Sequence, residues 1–184
     1  MEKLKDGTPV YSYEEAKEVY KNLAVPKIMA DEAILLLLAS TRKPIFGRTV
    51  MIKELFLLQE EVLKKHFRTV DDMRFVPYRY GPYSFRVAQL LEEMESIRLI
   101  ERRGRKGTND EKFSISERGM QHFSRIINKM PPEVLEEIRA RRMGWDELGR
   151  DGLLRYVYQH YPEYKERSEL KEKYKEITWG RGRG

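Results

Sequence analysis

FRVAQLLEEMESIRLIERRGRKGTNDEKFSISERG, Phe85–Gly119, is the stretch that decides the fold. Its first dozen residues carry Val87, Leu90, Leu91 and Met94, followed by Ile97, at helical spacing. Leu99–Arg103 abandons that period and reads as a strand, and Lys112–Ile115 alternates as its partner. Gly104, Gly107 and Asn109 in the loop between them tolerate turn conformations. Ser116 is placed to cap a further helix, running to about Lys129. Helix, basic hairpin, helix is the closing half of a winged-helix module.

Upstream, Arg74–Tyr80 is β-branched and aromatic, hence extended, and Pro77 suits an edge or a short strand. Gly81 breaks it, and Pro82 sits at the first position expected for the next helix. A helix is expected over Thr49–His66. Val50, Ile52, Leu55, Phe56, Leu57, Leu58, Val62 and Leu63 form its broad apolar face, with Lys53, Glu54, Glu60, Glu61, Lys64 and Lys65 outside. Ala33–Ala39 is apolar all round and predicts the central buried helix, capped by Asp31 and stopped by Arg42-Lys43-Pro44. Ser12 and Glu15 have the spacing of a capping box for a helix through Val25, which Pro26 ends.

Downstream, Pro131-Pro132 sets off a helix over 133–143. Gly144–Gly149 has turn character, with Asp146 as the cap of a last helix to His160. The expected organisation is an N-terminal extension and helix (1–28), a winged-helix-like core (29–129, its module within 29–116), C-terminal helices (130–162) and a charged tail (163–184). The fold class is mainly α with a small β-hairpin.

Hydrophobic residues make up 40% of the 184 and charged residues 36%. The first figure supports a core and argues against disorder; the second implies a heavily charged surface. Net charge is +6 and the isoelectric point about 9.4, a field that favours polyanions without identifying one. The absence of cysteine excludes disulfides and thiolate metal sites. Scarce Asn and Gln beside abundant Lys, Arg and Glu resemble hyperthermophile composition. The longest apolar run, Ala33–Ala39, is far short of the ~20 residues that span a bilayer. Residues 1–10 hold no apolar signal region, so a cytoplasmic location without membrane contact is expected.

Arg98, Arg102, Arg103, Arg105 and Lys106 lie within nine residues, opposed by Glu101 alone. On a wing such side chains would grip phosphates, Arg through its two-pronged fork. The bland alternative is a solvated turn paired with Asp110, Glu111 or a neighbouring helix. On the helix after Pro82, Tyr83, Ser84, Arg86 and Gln89 are candidates to face a major groove, since Arg and Gln suit guanine and adenine edges. Glu92, Glu93 and Glu95 on the same helix repel phosphate, and a protein-binding helix would look the same. Tyr78, Tyr80, Tyr83 and Phe85 could stack on bases, although aromatics at such a junction are more often core. Arg139, Arg141 and Arg142 read as compensation of a helix C-terminus. His66, His122 and His160 show no metal-ligand spacing, and no phosphate cradle, catalytic constellation or cofactor motif emerges.

Tyr78-Arg79-Tyr80-Gly81-Pro82-Tyr83-Ser84, then Leu90-Leu91 and Ile97-Arg98-Leu99-Ile100, resembles a family of uncharacterised prokaryotic proteins with a Tyr80-Gly81-Pro82 turn between strand and helix. That segment is similar to the antitoxin-like Panacea domain. Gly47-Arg48-Thr49 through Leu57-Leu58-Gln59, and Leu153–Tyr158 with Tyr161–Tyr164, extend the resemblance. It implies a winged-helix-like domain in regulation or toxin–antitoxin-type binding, with no catalytic residue to carry over. Two functions are therefore expected: a regulator of double-stranded DNA, possible as a homodimer, or an adaptor for a protein partner. Basic residues in one continuous stripe would favour DNA; dispersal among local acids would favour the adaptor.

Overall fold

In the computed structural model, residues 2–3, 9–15, 17, 28–108 and 110–165 are described. The chain is mainly helical with small antiparallel sheets. Two short strands, β1 (Glu2–Lys3) and β2 (Pro9–Val10), pair at the start. Ser12 and Glu15 then exchange the two hydrogen bonds of a capping box: Ser12 N–H donates to Glu15 Oε2 (2.9 Å) and Glu15 N–H to Ser12 Oγ (3.3 Å). The rest of the helix expected through Val25 lies mostly outside the described residues.

Helix α1 (Ala30–Thr41) is the hub, with every residue from Ala33 to Ala39 buried. Its first amides are met without Asp31, which is exposed: Met29 N–H donates to Glu32 Oε2 (2.9 Å) and Ala30 N–H to Asp71 Oδ2 (3.2 Å). The cap comes from a residue 41 positions away, which local spacing does not reveal.

Strand β3 (Ile45–Phe46) follows, then helix α2 (Arg48–Leu57), which continues through a π-helical stretch, Leu58–Leu63, and a last α turn, Lys64–His66. All of Met51–Gln59 is buried. Lys53 and Glu54, expected outside, are 1% and 0% exposed. Helix α2 has no solvent face here because it is packed from several sides, as the neighbours below show.

Strand β4 (Val76–Tyr78) and strand β5 (Gly81–Tyr83) form a hairpin apart from the main sheet, with Pro77 opposite Pro82. Prolines donate nothing to a ladder, which suits an isolated edge pair. Pro82 is therefore in a strand, and helix α3 (Phe85–Ser96) begins later, capped by Ser84 Oγ accepting from Val87 N–H (3.0 Å). Gly81 turns the hairpin at φ +86°.

Strand β6 (Ile100–Arg103) and strand β7 (Lys112–Ile115) are the expected hairpin, in register Ile100↔Ile115 to Arg103↔Lys112. Strand β3 adds to β7, Ile45 opposite Phe113, giving the antiparallel order β3-β7-β6. Ser116 caps helix α4 (Glu117–Ile127), accepting from Gly119 N–H (2.9 Å). A Cβ on Gly119 would come within 2.0 Å of the Leu99 carbonyl oxygen, so this glycine lets α4 lie on the chain entering β6.

Helix α5 (Pro132–His160) runs on through Gly144 and Trp145 and breaks only at Gly149 (φ 62°, ψ −177°), the last residue of the expected turn stretch. Trp145 is buried, and Asp146 pairs with Arg142 inside the helix rather than capping a new one. A 3-10 turn, Pro162–Tyr164, follows. Helix α5 packs on α1 and α2, and α2 also meets β5. Val134, Ile138, Trp145, Leu153 and Val157 share one hydrophobic core with α1, α2 and α3, so residues 130–162 complete the core of 29–129. Among the described residues, no helix is long and apolar enough to cross a membrane.

Candidate functional site

The expected phosphate-gripping cations mostly have carboxylates of their own. Arg102 Nε lies 2.8 Å from Glu95 and its terminal nitrogen 3.7 Å from Glu111. Arg103 pairs with Glu101 (3.1 Å) and Lys106 with Glu92 (2.5 Å). Arg86 forks onto both oxygens of Asp71 (2.7 and 2.6 Å) and also donates to the Asp72 carbonyl. These hydrogen bonds hold the Asp71 and Glu92 carboxyls below their ordinary pKa, Arg86 acting on the first and Lys106 and Arg48 on the second. Gln89 donates to Glu93 (2.7 Å). Ser84 is fully buried, capping α3 and donating to the Met73 carbonyl, and offers nothing to a groove. Tyr83 is half-buried. Among the described residues, Arg98 and Arg105 alone of the named cations have no carboxylate within 4 Å. The basic residues are thus dispersed among local acids, in sequence neighbourhoods and across distances of 15 residues or more that composition does not expose.

Glu111 anchors the β6–β7 hairpin from inside. It is 0% exposed, accepts from Arg48 (2.9 Å) and from the Gly107 N–H at the hairpin tip (2.9 Å), and its carbonyl accepts from Gly47 N–H (2.6 Å). The hairpin tip is thereby tied to the start of α2.

Of the aromatic group, Tyr83 packs against the core, and Tyr78, Tyr80 and Phe85 lie exposed. Tyr78, Tyr83 and Phe85 pack ring to ring at centroid distances of 5.0–5.5 Å, with Phe85 61% exposed and Tyr78 and Tyr80 also exposed. The Arg79 guanidinium sits 5.9 Å from the centre of the Tyr78 ring. Next to this cluster, the turn into α2, the β4–β5 hairpin and the tip of the β6–β7 hairpin enclose a cleft of about 480 Å³.

Lys53 lines that cleft. Its ammonium donates to the Pro82 carbonyl (2.6 Å), and burial brings its pKa down to about 7. The signal for it was present in the sequence: apolar residues at Val50, Ile52, Leu55, Phe56, Leu57 and Leu58 surround the whole helix and leave no free side for Lys53 and Glu54. Deeper still, Glu54 meets Arg142 at 2.8 Å with both side chains fully buried, and Arg142 also meets Asp146. Burial pushes Glu54 up to about 8 against the pull of Arg142. Arg142 is thus a core residue in mid-helix and does not compensate a helix end; Arg141 pairs with Glu61 (3.0 Å). His66 bonds Glu137 (2.6 Å), and no group of three potential metal ligands occurs among the described residues.

No protein-family model matches the chain, and no curated protein matches it in sequence.

Proposed function

We propose that the chain is a winged-helix-type binding protein whose surface at the β4–β5 hairpin and the start of α3 receives a protein partner. The observation that carries this reading is the exposed Phe85, seated on Tyr78 and Tyr83 at the N-terminal end of the helix where a DNA reader would hold free polar groups. Large exposed aromatics anchor protein interfaces. The cations around it are committed to carboxylates, the dispersal that favours an adaptor. The winged-helix assignment draws support from the order helix, β3, helix, β4–β5 hairpin, helix, β6, β7 with β3 added beside β7. It also agrees with the resemblance to the Panacea domain around Tyr80-Gly81-Pro82.

DNA binding is the second reading, favoured by Arg98 and Arg105 near the wing and by the same strand order. One pair of measurements separates the two. A photo-reactive phenylalanine analogue in place of Phe85, in the source cells, should give one defined protein adduct, absent when the analogue replaces exposed Gln121. Fluorescence anisotropy with a random duplex should show no binding tighter than about 10 μM at low salt. Micromolar binding that falls steeply with salt, without an adduct at position 85, would turn the assignment to DNA. A second copy of this chain as the adduct would make the surface a homodimer interface.

A further inference from the structure

The first turn of α2 opens into the cleft. Gly47 precedes it at φ +84°, no side chain caps it, and the first helical bond runs from Met51 N–H to the Gly47 carbonyl (3.1 Å). The N–H groups of Arg48, Thr49 and Val50 therefore have no acceptor among the described residues, and all three residues line the cleft. A helix start alone attracts anions weakly. Other features of the same cleft point the same way.

Lys53 follows Thr49 by four residues and so lies on the same helix face. It is 99% buried in effect, with 1% exposure, and spends one of three donors on Pro82. Among the described residues no carboxylate pairs with it, and burial depresses its pKa. A buried ammonium without a counter-charge is what an incoming anion would satisfy. The charged residues of the lining are Arg48, Lys53, Arg79 and Arg150, with no Asp or Glu among them. The guanidinium ends of Arg48 are turned to Glu92 and Glu111, so its contribution here is its backbone N–H. A Cβ built on Gly47 or Gly107 meets nothing within 4 Å, so the backbone is open to close approach. Phe46 and Tyr80 line the same cleft and remain 58% and 38% exposed.

We propose that this cleft is a binding site for a small organic phosphate carrying a planar ring, the chemistry of a mononucleotide. The phosphate would rest on the amides of Arg48, Thr49 and Val50, the Thr49 hydroxyl and Lys53; the ring would lie against Phe46 and Tyr80. Several convergent donors match the several oxygens of a phosphate better than the two of a carboxylate. The volume falls in the usual range for small-molecule sites, roughly 300–1,000 Å³. A nucleic-acid strand would need cations continuing beyond the cleft, and Arg102, Arg103 and Lys106 there are paired with acids. The cleft shares the β4–β5 hairpin with the partner surface at Phe85, but the groups that would hold the phosphate, the start of α2 and Lys53, lie outside that surface, so either proposal can fail without the other.

The test is a titration of the full ¹⁵N-labelled chain, followed by amide NMR, with phenyl phosphate, inorganic phosphate, phenol and adenosine monophosphate. Phenyl phosphate and adenosine monophosphate should shift the amides of Arg48, Thr49 and Val50 with dissociation constants of about 1 mM or lower. Inorganic phosphate should move the same amides about tenfold more weakly, and phenol should leave them unmoved. Phe46→Ala, at an exposed position, should weaken phenyl phosphate about tenfold and leave inorganic phosphate unchanged. Lys53→Met should weaken both. Absence of shifts with phenyl phosphate, or equal weak shifts from both phosphates untouched by Phe46→Ala, would overturn the proposal. Binding of phenyl phosphate without adenosine monophosphate would overturn the mononucleotide class.

Discussion

The Lys53 ammonium and the Pro82 carbonyl meet at 2.6 Å, joining the buried centre of α2 to the second strand of the Tyr80-Gly81-Pro82 hairpin. Burial sets the Lys53 pKa near 7 in place of its ordinary 10.5. Between those values the unfolded chain holds more protons than the folded one. The stability this group contributes is therefore full above 10.5 and is lost as pH falls through 7. Glu54 runs the other way: raised from 4.5 to about 8, it contributes stability that is full below 4.5 and is lost as pH rises through 8. Stability should fall to a minimum that is flat between about pH 7 and 8, where the two opposite slopes cancel, and recover on the alkaline side. Lys53→Met should abolish that recovery, which urea denaturation at a series of pH values would reveal as an unchanged midpoint above about pH 8.

Arg142 and Glu54 form a buried pair whose halves depend on each other. Arg142→Leu should cost about 3–5 kcal/mol at pH 9, where Glu54 is ionised beside Arg142 in the parent chain and loses that partner in the variant. The cost should shrink near pH 5, where Glu54 is protonated in the fold. The double variant Glu54→Leu/Arg142→Leu should recover most of the loss. A double-mutant cycle measured by denaturant at both pH values reads the coupling directly.

Gly81 is held at φ +86°, and a Cβ there would stand 3.0 Å from the Tyr158 ring. Gly81→Ala should cost about 1–2 kcal/mol from the left-handed backbone, with the crowding of Tyr158 in addition. The companion variant Tyr158→Phe leaves the ring in place and should not relieve it. Thermal melts of Gly81→Ala alone and with Tyr158→Phe check both statements.

Glu111 accepts from Arg48 and from the amide of Gly107. Glu111→Gln keeps the shape and removes the charge, leaving Arg48 with Glu92 as its remaining acid. A loss of about 1–3 kcal/mol is expected, together with faster hydrogen exchange at Gly107. Protection at Gly107 equal to that of the parent chain would contradict the anchoring role.

Where neighbours along the chain decide the structure, the sequence is transparent. Ser12 with Glu15 and Ser116 with Gly119 cap their helices because the partner is three residues away. The β6–β7 hairpin is legible from alternation and its glycines, and α1 from its unbroken apolar run. Strand β3, two residues long, is too short to show any period and exists because Phe113 and Lys112 stand beside it. The cap of α1 by Asp71 and the fork of Arg86 onto that same Asp71 are set by folding at a distance. The residues of the β6–β7 hairpin are legible as basic; that Arg102 and Lys106 are already answered by Glu95 and Glu92 is a fact of packing between α3 and β6 and the hairpin tip. The cleft at Lys53 needed a fuller accounting of the helix circumference of α2 than a one-face reading gives.

The break at Gly149 divides α5 into two lengths with separate anchorage. Arg142 and Trp145 are buried before it, and Leu153, Leu154, Val157 and Tyr158 after it, while Asp146 to Asp151 are all exposed. Each half is seated by its own side chains, and the junction itself is exposed. For protein engineering this marks a seam: a tag or reporter domain spliced at Gly149, or a chain divided there and expressed as two fragments, would retain the buried anchors on both sides.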